Sequence, residues 1–457
     1  MASKVKKGFL YYLLWLAFIC FGTVCIFATV LVLNPNKDVF GIGIRYYSNN
    51  NVTNYDEVDV DGVMKPLKNI AITQVNINSD YANINVVKND YHERITFSFD
   101  RKIKGFTKSK VKECSIKLTL EGTTLTVDVV APEFWIPLST SLNITMYCPN
   151  SLTFENYNFD IKTNSGDVKF GIGNCIDYSI SGLNIETKNG DINLNKKLTV
   201  NSGVVNIKTA SADTYVYTNV QSELNFETTK GKLYVDEING NLNIEANTLS
   251  AKCNKVYGNV KYSSKNGYIR INKLGDSANG NFTADVDKMH IANVIIEEMR
   301  GNITIPNGES SNITVNNLGG EALINTTIGS VKIGQTSHDV TITTTQGRVE
   351  VLQLSLGAKT DITTTSGSIW ANFIEVGTAR LTTTKGTIAV NVATDKTFVF
   401  DYATSGSVSV SWIKEKLNKT GVIYVAGATA STANKIEAKS TSGKIVLKDG
   451  YVIPEED

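Results

Sequence analysis

Ten glycines, Gly166, Gly190, Gly231, Gly267, Gly329, Gly347, Gly367, Gly386, Gly406 and Gly443, mark one short pattern that recurs along the chain. Two residues after each glycine stands an apolar residue, from Val168 and Ile192 to Val408 and Ile445, and four residues after it another, from Phe170 and Leu194 to Val410 and Leu447. Three residues before it stands threonine at Thr163, Thr187, Thr228, Thr326, Thr344, Thr364 and Thr383, replaced elsewhere by Ser264, Ala403 and Ser440. Two residues earlier again comes Ile161, Ile185, Phe226, Tyr262, Ile324, Ile342, Ile362 or Leu381. The unit Φ-x-T-x-x-G-x-Φ-x-Φ predicts a strand, a tight turn on a glycine free to take positive φ, and a second strand, with the apolar residues of both on one inner face. The recurrent inner threonine suits hydroxyls that bond each other and the turn backbone.

Spacing separates the repeat architectures. Gly329, Gly347, Gly367, Gly386 and Gly406 lie 18, 20, 19 and 20 residues apart, and the wider gaps of 24, 41, 36, 62 and 37 correspond to one to three periods with the glycine lost between. A propeller blade needs about 40–45 residues, whereas one coil of a parallel β-solenoid needs about 20. The expected fold is therefore all-β, a parallel β-solenoid or β-helix with coils of about 20 residues, since each unit packs only on its neighbours. Some 15 coils between Leu152 and Leu447, about 4.8 Å apart, would form a rod on the order of 70 Å long.

Outside the repeats, residues 69–150 carry period-2 runs (Ile70, Ile72, Val75, Ile77; Ile84, Val86; Ile116, Leu118, Leu120) and Pro132, Pro137 and Pro149 near Trp135. They read as an N-terminal β portion or cap on a solenoid spanning residues 151–447. Residues 34–68 are rich in Asn, Tyr and Asp without a sustained apolar period, and read as an extracellular linker. Residues 448–457 form an acidic tail. Residues 272–302 fit either solenoid strand or an inserted short helix.

Residues Phe9 to Leu33 hold no Asp, Glu, Lys or Arg. As a helix this run would reach about 37 Å, enough for a single transmembrane span. Its uninterrupted course into Leu33, Asn34 and Pro35 favours an uncleaved anchor over a signal peptide. Lys4, Lys6 and Lys7 precede it, so residues 1–8 are expected in the cytoplasm and the body outside the cell membrane. The partner expected through residues 9–33 is the membrane. Lys plus Arg total 45 against 44 Asp plus Glu, which leaves no electrostatic case for nucleic acid.

Signatures of chemistry are sparse. His92, His290 and His338 are isolated, there is no G-x-S-x-G elbow, and no cofactor or metal is expected. Asp167 and Asp191 follow the repeat glycine in two coils, but Ser330, Arg348, Ser368 and Thr387 take that place later, so a carbohydrate-active β-helix enzyme is the remote alternative. Cys114 and Cys148 are the candidate disulfide, the shortest bridge within the cap; otherwise the outer cysteines act as small buried hydrophobes. Strand alternation turns Thr343 with Thr345, Thr363 with Thr365, and Thr382 with Thr384 outward, a candidate contact surface three coils deep. Asn325 with Thr327 and Tyr402 with Thr404 are expected to flank it.

The segments IAITQVNINSDYANINVV and LNITMYCPNSLTFENYNFDIKTNSGDVKF, followed by the repeated T-x-x-G-x-Φ copies, resemble the bacterial "putative adhesin" family of domains of unknown function, over roughly Asn69 to Leu447. The resemblance implies a β-solenoid displayed at the bacterial envelope, often on a membrane anchor, with no established catalytic residues. The expected function is thus a non-enzymatic, membrane-anchored surface protein contacting a glycan, a cell or an envelope partner. The alternative is an envelope-stress sensor or structural brace.

Overall fold

The computed structural model describes residues 14–26, 29, 47–60, 63–67, 70–105, 114–130, 139–150, 155–173, 175–276, 280–284 and 291–450. Residues 14–26 are helical; among the described residues no helix is long and apolar enough to cross a membrane. The rest of the expected span, residues 9–13, 27–28 and 30–33, lies outside the described residues, as do 1–8, 34–46, the proline-rich 131–138 and the tail from 451.

The body of the chain winds into three-sided coils, and neighbouring coils pair in parallel. On the first side, Ile342 lies between Ile324 and Ile362. On the second, Val349 lies between Val331 and Ile369. The third side stacks Ile180, Val200, Val220 and Ile238, and continues through Val256 and Leu274. Alternate residues point inward, as in Val340–Gln346, where Val340, Ile342 and Thr344 are buried and Thr341, Thr343 and Thr345 are exposed. The period-2 pattern thus becomes one continuous apolar core. Strands of the first side begin at residues 158, 182, 204, 223, 241, 260, 282, 303, 322, 340, 359, 378, 398 and 435, so fourteen coils follow residue 155 among the described residues.

The repeat glycine is needed for a reason other than the expected one. Only Gly329 and Gly347 among the ten have positive φ. At most of the others the constraint is axial: a Cβ on Gly190 would lie 1.8 Å from the carbonyl oxygen of Gly166, and one on Gly386 would lie 1.7 Å from that of Gly367. The coils approach so closely at this corner that no side-chain carbon fits. Gly267 differs again, since its space is taken by the Tyr262 hydroxyl.

The buried threonine holds the same corner. Thr187 Oγ1 accepts the Gly190 N–H at 3.1 Å and Thr364 Oγ1 that of Gly367 at 2.9 Å. Thr383 accepts the Gly386 N–H and also donates to the Gly367 carbonyl one coil away, both at 3.1 Å. These hydroxyls bond the backbone of their own turn, and in places the next, rather than each other. In the two coils with a positive-φ glycine, Thr326 and Thr344 instead donate to the carbonyls of Ile328 and Gln346. Between residues 204 and 274 the corner lacks this turn. The strands Val204–Val216, Glu223–Ile238, Asn241–Val256 and Val260–Leu274 run through it, each leaving one residue out of the pairing register at this corner.

At both ends the order of coils departs from the order of the chain. Residues 435–449 insert between the coil at 378–392 and the coil at 398–410: Ala379 pairs with Ile436, and Phe400 pairs with Ile436 from the other side. Accordingly Gly443 stacks on Gly386, and Gly406 stacks on Gly443. At the other end, the coil at 74–89 lies between residues 158–170 on one side and the strands Thr124–Val130 and Ser139–Pro149 on the other. Antiparallel strands then cover the outer coils. Thr420–Val425 lies on Phe398–Thr404, Ser115–Glu121 on Thr124–Val130, and Thr96–Gly105 on Ser139–Pro149, with Tyr47–Tyr55 beyond. Such lids remove the open parallel edges that would otherwise recruit further strands.

Several expectations change. The linker expected over 34–68 is folded from Tyr47, and contributes Tyr47–Tyr55, Glu57–Val60 and Val63–Pro66 to the N-terminal lid. In the open stretch 272–302, Phe282–Ala284 and Ile291–Met299 are solenoid strands with Val294 and Ile296 buried. Cys114, Cys148, Cys175 and Cys253 are all buried free thiols, so the Cys114–Cys148 bridge is not formed. The carbonyl of Cys114 accepts a hydrogen bond from Arg101, which is in register with Leu142, six residues from Cys148 along one strand and so about 20 Å away. Tyr402 and Thr404 are buried, because this coil makes its turn one residue shorter and places Thr404 in the threonine column beside Ser440.

Gly386→Ala should lower stability by about 1–3 kcal/mol through overpacking against backbone. Gly357→Ala, where a Cβ meets open space and only φ of +93° is unfavourable, should cost about 1 kcal/mol; chemical denaturation measures both. Burial pushes the Cys253 thiol and the Tyr262 phenol up to about 12. Folding therefore opposes their ionisation, and the stability it contributes is present below their unfolded values of about 8.5 and 10 and is lost as pH rises from there toward 12. The melting temperature should fall above about pH 9, and Cys253 should resist alkylation until the protein unfolds.

Candidate interaction surface

The outward positions of the first side form columns parallel to the rod axis. In the N-terminal half the motif Φ-N-Φ-[E/K]-[T/A] at 183–187, 205–209, 224–228 and 242–246 aligns Asn184, Asn206, Asn225 and Asn243. Each amide donates to the preceding one, Asn206 to Asn184 at 2.7 Å, Asn225 to Asn206 at 2.9 Å and Asn243 to Asn225 at 2.8 Å. Beside this ladder runs a second column of Glu186, Lys208, Glu227 and Glu245. Lys208 Nζ meets Glu227 at 2.9 Å, and this partner raises the lysine pKa above its ordinary value. As an exposed pair it contributes little to stability.

Shallow grooves open along the same side. One of about 490 Å³ is lined by Asn206, Asn225 and Asn243 with Lys208, Glu227 and Glu245. Another of about 450 Å³ adjoins it at Lys208, Glu227 and Glu245 and extends to Lys188, Thr229 and Lys265, and a third of about 440 Å³ lies between Asp80, Asp128, Lys162 and Glu186. Their walls offer amide donors and acceptors with charges of both signs, which suits a polar, hydroxyl-rich or zwitterionic partner.

Further along this side the threonines come together as expected. Thr343, Thr363 and Thr382 are successive partners in register. Thr343, Thr345, Thr363, Thr365 and Thr384 are exposed and Thr382 is half-buried. Asn325 precedes the array, and Lys439 of the inserted coil follows it in place of Tyr402. The asparagine ladder escaped the sequence reading although its signal is the motif quoted above, because that reading followed the glycine and threonine columns.

Other candidates have structural employment. Asp167 Oδ1 accepts the Asp191 N–H at 3.1 Å and Asp191 Oδ1 that of Asp213 at 3.0 Å, so these carboxylates link coils instead of converging as an acid pair. His92 stacks on Tyr147 at 4.4 Å and bonds Asn89, while His290 lies outside the described residues. Among the described residues no group of three or more His, Cys, Asp or Glu could hold a metal ion.

The architecture is that of a parallel β-solenoid built to expose long, ordered lateral sheets. The chain belongs to the family described as Toastrack DUF4097, which matches residues 72–277 and 275–448. No curated protein matches the sequence. Among solved structures it is similar to a putative cell adhesion protein from Clostridium sporogenes, at 8% identity over 88% of this chain and 100% of that one, with a TM-score of 0.17. A putative adhesin from Bacteroides fragilis matches at 12% identity over 89% of this chain and 97% of that one, with a TM-score of 0.14. At these scores neither likeness carries argument about this chain.

Inner and outer threonines on one strand should behave oppositely. Thr383→Val strands the Gly386 N–H and the Gly367 carbonyl and should cost about 1–3 kcal/mol. Thr382→Val, one residue away on the outer face, should stay within about 0.5 kcal/mol of the parent in urea denaturation.

Proposed function

We propose that this protein is a non-catalytic surface rod, held by residues 9–33 in the cell membrane with its N-terminus in the cytoplasm. Its solenoid body projects outward and makes repeated weak contacts, through the first side, with glycans or proteins of another cell or of the envelope. The observation that carries this reading is the run of asparagine, charged and threonine columns in one register along a single lateral sheet. Neighbouring coils repeat a contact about every 4.8 Å, so individually weak hydrogen bonds sum by multivalency. The lysines before the apolar run support the orientation, and membership of a family whose resemblance implies envelope display supports the location.

The test uses bacteria producing the full chain with a C-terminal epitope. Intact cells should bind the epitope antibody and should adhere to immobilised glycans or to other cells. Adhesion should fall at least about tenfold when Asn206, Asn225, Thr343 and Thr363 are changed together to Lys, an effect multiplied over linked contacts. Labelled cells that bind no cell and no glycan would turn the assignment to an envelope brace or sensor.

A further inference from the structure

The second side of the solenoid carries a different kind of feature where it turns into the third. Trp370 points outward from Ile369–Phe373 and is 42% exposed, so much of its indole is open to solvent. The Arg348 guanidinium sits over the ring at 3.9 Å from its centroid and is itself ion-paired with Glu350, the residue in register with Trp370 on the preceding coil. On the following coil the partner of Trp370 is Ala389, a single methyl that leaves room beside the indole on that side.

Two residues further along these strands, Asn372 and Asn391 are in register and each only 9% exposed. Asn391 donates its amide N–H to Asn372 Oδ1, while its own Oδ1 is buried without a hydrogen-bond partner. A buried carbonyl left unpaired is costly, so a donor that reaches this amide pair would be held strongly. Both asparagines, Trp370, Arg348 and Glu350 line one small cavity of about 90 Å³. That volume equals about three waters' share of liquid, enough for the hydroxyl-bearing edge of a sugar but not for its ring.

We infer that this corner is a binding subsite for one pyranose unit of a glycan. The C–H face of the sugar lies on the indole above Ala389, and an exocyclic hydroxyl enters the cavity and bonds the Asn372–Asn391 amide pair that lines it. Glu350 and Arg348 supply the acceptor and donors at the rim. An aromatic platform flanked by a few fixed polar groups is the usual composition of a small-ligand site. The guanidinium beneath the indole holds the ring in place without covering the free side. This subsite stands on residues separate from the lateral sheet discussed above, and holds whether or not that sheet adheres.

The full chain in lipid nanodiscs, which avoids sugar-based detergents, is titrated with methyl glycosides of glucose, galactose, N-acetylglucosamine and glucuronic acid. Tryptophan fluorescence and saturation-transfer NMR report binding. At least one glycoside should give a saturable change with Kd of about 1–10 mM. Trp370→Ala and Asn391→Leu should each weaken it at least about tenfold, the scale of one lost anchor contact. Ala389→Arg, a surface change that fills the space beside the indole and keeps the cavity intact, should do the same while the thermal unfolding transition stays in place. Absence of saturable binding by all four glycosides, or binding that persists in both Trp370→Ala and Ala389→Arg, would overturn the assignment.

Discussion

The structure depends on one spacing, the distance at which parallel β-strands exchange backbone hydrogen bonds. Every coil must present its strands to the next at that distance on all three sides at once, and the corner after the first side is where this is hardest. There the carbonyl of one coil meets the Cα of the next, and glycine is the residue that leaves room. Within the turn a hydroxyl three residues upstream holds the glycine N–H, and at Thr383 the close approach lets it also reach the carbonyl of the neighbouring coil. The apolar columns then fill a core of fixed cross-section, and the outward columns inherit the same register.

Most of this was legible from local spacing. The apolar residues at two and four after each glycine, the buried threonine and the period near 20 all encode contacts between one coil and the next, so they recur visibly. The chemistry of the glycine was misassigned: sequence reveals that glycine is required, and turn geometry and close packing both require it. What remained hidden was non-local. Ile436 pairs with Ala379 across the whole unit from Phe398 to Val425, and no residue in either segment announces that the final coil inserts there. Cys114 and Cys148 are close in sequence, yet Cys114 sits beside Arg101, opposite Leu142, and Cys148 stands six residues further along Ser139–Pro149, a consequence of the antiparallel lid path that the pattern did not reveal. The threonine array was found because it follows the repeat; its Lys439 border was not, because it follows from the inserted coil.

The division between inner and outer positions separates stability from recognition. Inward residues are committed to the columns and tolerate little change. Outward residues on the first side, from Asn184 to Thr384, and at the Trp370 corner have few obligations to the fold, so their chemistry can vary while the rod stays the same. Asparagine is well suited to the first role, since a stacked amide satisfies its neighbour with one donor and one acceptor and keeps the remaining valences for solvent or a partner.

The inserted coils at the two ends constrain how such a molecule changes length over evolutionary time. An extra coil copied into the interior, where chain order and stacking order agree, needs only the same register above and below, and duplication of some 18 to 20 codons supplies it. At either end a duplicated coil would have to enter between segments that are not consecutive in the gene, and the antiparallel lid would lose its seat. Growth and shortening are therefore confined to the middle of the rod, and the two ends are inherited as fixed pieces.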